Sequence, residues 1–147
     1  MDHVYLPSEE VWESRKDWYE AHIFHYEELA SYMVGDQASA LLFDVQSCFC
    51  AGAWASVVII AFAVIEANLI ETGGSPGKTN SARLLQDAGF DQRFQDLRKA
   101  RNRLVHATSG APAITIDQQY DERDLLESKA REAVALMFEA FYSARST

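Results

Sequence analysis

Cysteine is almost absent from this 147-residue chain, which carries only Cys48 and Cys50. Two residues apart on a helix, they point to different sides and do not bridge readily. A disulfide framework is therefore excluded, and reduced thiols in a cytoplasmic setting are expected. Two thiols are also too few for a closed zinc site. Basic residues are scarce as well: 13 Lys and Arg stand against 22 Asp and Glu, for a net charge of −9. Broad, nonspecific adhesion to nucleic acid relies on a general excess of cations, which this chain lacks. The first ten residues hold neither a basic region nor an apolar signal stretch, so nothing in them directs export. Strand-like alternation is missing except at Ala113 to Asp117, and there is no internal repeat or low-complexity tract.

What is present is the composition of a folded globular protein, 48% apolar and 24% charged, at the usual size of one domain spanning residues 1–147. Helical periodicity dominates. The first helix is expected to start at a Ser8 cap, with Glu9 and Glu10 in its first turn, and to run to about Met33. It carries two apolar stripes, one through Trp12, Tyr19, Ile23, Tyr26, Ala30 and Met33, the other through Trp18, His22, His25, Leu29 and Tyr32. Cover on two sides follows, and dimerisation is one way to supply it. A long second helix is expected from Gln37 to Glu71. It contains an uncharged run, Cys48 to Ile65, that reaches the lower bound for a membrane span. The run is rich in Ala, Gly, Ser and Cys, lacks flanking Lys or Arg, and ends at Asp44 and Glu66, so it reads as the central helix of a bundle, with no membrane crossing. Beyond the breaker Gly73 to Gly77, a short helix over Ser81 to Ala88, a stop at Gly89 and a helix from Asp91 to about Ala107 are expected. A loop from Thr108 to Tyr120 leads to a last helix over Asp121 to Ala144, burying some combination of Leu125, Ala133, Leu136, Phe138 and Phe141. The fold class is all-α, a four- to five-helix bundle.

Two apparent motifs carry little. Gly73 to Thr79 looks like a phosphate loop, but that motif needs four residues between its first glycine and Gly-Lys-Thr, and position 72 is Thr. The stretch reads instead as a connector with Thr79 or Asn80 capping the next helix. His22 and His25 share one helical face, as two metal ligands do. No complementary pair occurs elsewhere, so a structural or interface role is expected and no metal or other cofactor is assigned.

The segment Arg93 to Arg103 is different. It holds Arg93, Arg98, Lys99, Arg101 and Arg103 against Asp96 alone, a local charge of +4 that leaves −13 on the rest of the chain. A phosphate-binding patch on an acidic scaffold fits this pattern, as does a solvated helix face. On a helical wheel Arg101 falls within the apolar arc of Phe90, Phe94, Leu97 and Leu104, where a guanidinium is costly unless paired. Asn102 and His106 share an adjoining face, about 140° from Arg101 in the case of His106. A structural account pairs Arg101 with a carboxylate of the second helix, Glu66 being the candidate, and leaves His106 at a helix C-terminus interacting with its dipole.

The run Arg101, Asn102, Arg103, Leu104, Val105, His106 resembles the Arg-Asn-x-x-x-His motif of the HEPN superfamily. The surroundings are similar too: an alanine-rich preceding helix ending in Ile65, Glu66, Ala67, a Gly-Pro connector, and an alanine-rich closing helix from Ser128 to Phe141. The likeness covers roughly Ala51 to Tyr142. It implies a bundle of HEPN type and a metal-independent endoribonuclease acting as a homodimer, two motifs facing one cleft. In that scheme a ribose 2′-hydroxyl attacks the neighbouring phosphate. His106 moves protons, Arg101 holds the phosphate and Asn102 orients His106 or the phosphate, leaving a 2′,3′-cyclic phosphate and a 5′-hydroxyl. Arg98, Lys99 and Arg103 are then RNA-binding residues and Glu66 a supporting one. Toxin or antiviral defence roles in the family bring an antitoxin or other partner protein into the expectation. Some relatives carry a regulatory Tyr two residues after the His, where this chain has Thr108. Two other readings stand beside this one: a catalytically inactive dimerisation or nucleotide- or RNA-binding module serving another protein, and a purely structural helical protein.

Overall fold

The computed structural model describes residues 6–27, 35–73 and 80–143, and every described segment of regular structure is helical. Helix α1 (Glu9–Glu27) starts where Ser8 accepts from the Val11 N–H at 3.2 Å. The expected continuation to Met33 lies outside the described residues.

The single long second helix is a misreading. Gly52 takes a left-handed conformation with φ 80°, and the Gly52 and Ala53 N–H groups close back on the Phe49 and Cys48 carbonyls. This Schellman cap splits the segment into α2 (Asp36–Ala51) and α3 (Trp54–Gly73). The two fold back antiparallel, since Glu71 near the end of α3 accepts from the Gln37 and Ala38 N–H groups opening α2, both at 3.0 Å. Two arginines fasten the corner. Arg15 donates to the Cys50 carbonyl at 3.1 Å and Arg123 to the Gly52 carbonyl at 2.7 Å, with both guanidiniums over the Trp54 ring. Cations meet the negative end of α2 there.

Next come α4 (Ser81–Asp87), capped by the Asn80 side chain, and α5 (Gln92–Val105), capped by Asp91, with Gly89 at φ 78° between them. The expected loop over Thr108 to Tyr120 holds α6 (Ile116–Asp121), opened by a capping box between Thr115 and Gln118. That box replaces the strand-like reading of Ala113 to Asp117. Helix α7 (Arg123–Phe141) closes the fold. The described residues thus form seven helices, five long and two short, where four or five were expected. The Gly52 corner and the capping box account for the excess.

Helix α3 is the centre: α2, α5 and α7 all pack on it. By length and composition alone it is also apolar enough to cross a membrane. Phe49, Phe62, Ile65, Met137 and Phe138 are fully buried around it, each contributing about 1.5–3 kcal/mol. Ala133, Leu136, Phe138 and Phe141 face inward from α7 as expected, whereas Leu125 is exposed. Part of each α1 stripe is covered by the chain itself among the described residues. Tyr19 is buried and donates to the Leu42 carbonyl. Trp18 stacks on Phe49, and His22 stacks on Phe138. Of the rest of that stripe, His25 is exposed, and Leu29 and Tyr32 lie outside the described residues. Tyr26 belongs to residues whose side chains are not described, and Trp12 is left 38% exposed.

Candidate functional site

Helix α5 is amphipathic about a sharp boundary, and that boundary positions the candidate site. Phe94 and Leu97 are buried against the core, with Phe90 and Leu104 packed beside them. Arg101 points into the same face. Its side chain keeps 19% exposure, its Nη1 lies 3.1 Å from Glu66 Oε1, and its guanidinium sits 4.6 Å over the Phe62 ring. The other Glu66 oxygen accepts from the Ser81 hydroxyl, so one carboxylate ties α3, α4 and α5 together. Arg101 Nε is buried without a hydrogen-bond partner among the described residues. The cost that the apolar arc imposes on Arg101 is thus offset by Glu66 and by a cation–π contact.

Asn102 and His106 stand elsewhere. The Asn102 carbonyl accepts from the His106 N–H at 2.9 Å, the last turn of α5, and His106 is the C-cap with extended backbone (φ −121°, ψ 99°). Asn102 is half-buried and His106 exposed. Within one chain, then, Asn102 and His106 share the outer side, and Arg101 is held on the inner one by Glu66. The three side chains do not hydrogen-bond to one another among the described residues.

The cations divide in the same way. Arg93 pairs with Asp91 at 2.9 Å and Glu139 at 3.0 Å, which raises its pKa and, through the hydrogen bonds to Arg93, holds the Asp91 carboxyl below its usual range. Its charge is spent locally. Arg15, Arg83, Arg101 and Arg131 also carry carboxylate partners. Arg98 donates instead to the neutral Gln95 side chain at 2.9 Å, and among the described residues no ion pair engages Lys99 or Arg103, both exposed. On an ideal helix Arg98, Asn102, Lys99 and Arg103 span an outer arc of about 140°. Cations without carboxylates therefore flank Asn102 and His106 on a chain that is acidic overall.

The other reactive side chains have structural surroundings. His22 packs between Trp18 and Phe138 and its Nδ1 lies 3.1 Å from the Trp18 carbonyl. Burial pushes the Cys48 and Cys50 thiols up. No group of three or more metal-ligating side chains converges among the described residues. Of the connector that looked like a phosphate loop, positions 74–79 lie outside the described residues. Two members of the Arg101 cluster escaped sequence reasoning. Phe62 carries a signal, one turn before Glu66 on the same helix, whereas the reach of Ser81 back to Glu66 depends on the tertiary fold. No family model matches the chain, and neither do curated proteins or solved structures.

Proposed function

We propose that this protein is a cytoplasmic, metal-independent endoribonuclease of HEPN type whose site is completed in a homodimer. The observation that carries the reading is the outer arc of α5, where Arg98, Lys99 and Arg103 have no carboxylate partner among the described residues around Asn102 and the exposed His106. A phosphodiester fits that arc electrostatically, and His106 is the one group on it suited to proton transfer near neutral pH. The 2′-hydroxyl attacks the adjacent phosphorus, the bond to the 5′-oxygen breaks, and that oxygen takes a proton. Arg101 of one chain points away from its own His106, so the second copy supplies the missing half of the constellation. RNA is the substrate class. A toxin or antiviral defence effector held by an antitoxin or other partner is the biological role proposed.

The pairing of Arg101 with Glu66 favours a second reading, a catalytically inactive dimerisation or RNA- or nucleotide-binding module. A guanidinium already neutralised and four-fifths covered has little left to offer a phosphate. One experiment separates the two. Purified chain is incubated with single-stranded RNA, with and without EDTA, beside His106→Ala. The ribonuclease reading predicts cleavage in both wild-type samples and none in the variant. RNA retained but uncut by wild type establishes the binding module. Light scattering checks the assembly, where a single-chain mass at micromolar concentration contradicts the composite site.

A further inference from the structure

A groove of about 240 Å³ lies between α5 and α7, on the side of α5 away from Asn102 and His106. Both helices pack on α3 but hardly on each other, and the gap is walled by Ala113 and Ile114. Its floor is aliphatic, formed by Leu97, Leu104, Leu126 and Leu136. The volume falls below the roughly 300–1,000 Å³ of sites for drug-sized ligands, which suits a compact molecule and no macromolecular segment.

The charges around it are arranged unevenly. Helices α5 and α7 run antiparallel, and Arg93, itself a lining residue of the groove, meets Glu139 at 3.0 Å. Ten residues on from Arg93 and ten back from Glu139 stand Arg103 and Lys129, both lining the groove. The register that sets opposite charges together at one end thus sets two cations together at the other. Asp96 and Glu132 also line the groove, yet among the described residues no ion pair joins them to Arg103 or Lys129. Asp96 instead accepts from Gln92 at 2.9 Å. Two cations that line one apolar groove and carry no ion pair among the described residues leave a place for an anion.

We infer that this groove binds a compact amphipathic anion, its apolar body on the leucine floor and its carboxylate or phosphate head between Arg103 and Lys129. The inference shares Arg103 with the ribonuclease reading, but Arg101, Asn102 and His106 do not line the groove, and its test turns on Lys129, which that reading does not use.

The test is fluorescence titration of the whole chain with 8-anilinonaphthalene-1-sulfonate, a compact aromatic anion, beside the uncharged N-phenyl-1-naphthylamine. Saturable binding of one sulfonate per chain is expected. Lys129→Glu should weaken it by about tenfold or more, the scale of a lost charge-assisted hydrogen bond, whereas Lys16→Glu on α1 should leave it unchanged. Lys129→Gln, a milder change at an exposed position, guards against loss of fold and should weaken binding less than Lys129→Glu. Benzoate and phenyl phosphate should displace the dye, the stronger competitor identifying the head group. Equal binding in the Lys129 and Lys16 variants, equal affinity for the uncharged dye, or binding that never saturates would overturn the proposal.

Discussion

The two sides of α5 differ in how their polar groups are satisfied. On the inner side Arg101 is tied to Glu66, Glu66 to Ser81, and the guanidinium lies on Phe62. On the outer side Lys99, Arg103 and His106 stand exposed, with no carboxylate attached among the described residues. On the proposed function, a helix that uses one arginine to hold three elements together, and leaves other cations uncommitted two residues away, separates stability from recognition. Substitutions inside should cost fold stability, and substitutions outside should cost function alone.

The largest effect belongs to the outer side. His106→Ala should reduce RNA cleavage by roughly a hundred- to ten-thousand-fold, the usual contribution of one general acid or base, while its thermal unfolding matches wild type. A parallel loss of unfolding temperature would erase the distinction between the two sides. Inside, Glu66→Ala should destabilise the fold by about 2 kcal/mol in urea denaturation. That lies below the roughly 3–5 kcal/mol of a fully buried pair broken on one side, because both side chains keep some exposure. Arg101→Met combined with Glu66→Leu should recover part of that loss, since no charge is then left uncompensated. A double variant no better than the singles would show that the ion pair is not what holds the corner.

The amphipathic pattern of α5, its start near Asp91 and the anomalous Arg101 on its apolar arc are local features, and they were legible in the sequence together with Glu66 as the partner. The Gly52 corner was not. An apolar run reads the same whether it forms one helix or two packed face to face, and a lone glycine inside a helical pattern does not by itself mark a break. The cap at Thr115 and Gln118 did carry a readable signal, obscured by the neighbouring Gly110 and Pro112. The stripes of α1 were legible as apolar faces, but only the fold reveals that α2 and α7 meet Trp18, Tyr19 and His22. The α5/α7 groove has no local signal, because it depends on two helices from distant parts of the chain both leaning on α3.

Ser81→Ala is a smaller probe of the inner side, expected to cost about 1 kcal/mol as one hydrogen bond to a partly exposed carboxylate is lost. Its counterpart outside is Lys99→Ala, expected to change stability by less than about 0.5 kcal/mol. RNA binding should nevertheless weaken, with the slope of log affinity against log salt falling by about 1. An unchanged slope would remove Lys99 from the interface. The smallest effect concerns the start of the helix. Hydrogen bonds to Arg93 hold the Asp91 carboxyl below its unfolded range, so its stabilising contribution is present above the unfolded pKa and fades as pH falls through the lower folded value. Arg93→Gln should diminish that acid-side dependence in urea midpoints measured between about pH 5 and 2, a window bracketing the ordinary Asp pKa near 3.9. The same dependence in wild type and variant would assign it to other carboxylates.

The central claim is that the outer arc of α5 cleaves RNA without a metal. Its most direct measurement is the chemistry of the ends produced when purified protein acts on a single-stranded RNA in excess EDTA. The account predicts fragments ending in a 2′,3′-cyclic phosphate and a 5′-hydroxyl, absent with His106→Ala. Intact RNA with wild-type protein, or cleavage that EDTA abolishes, would contradict it.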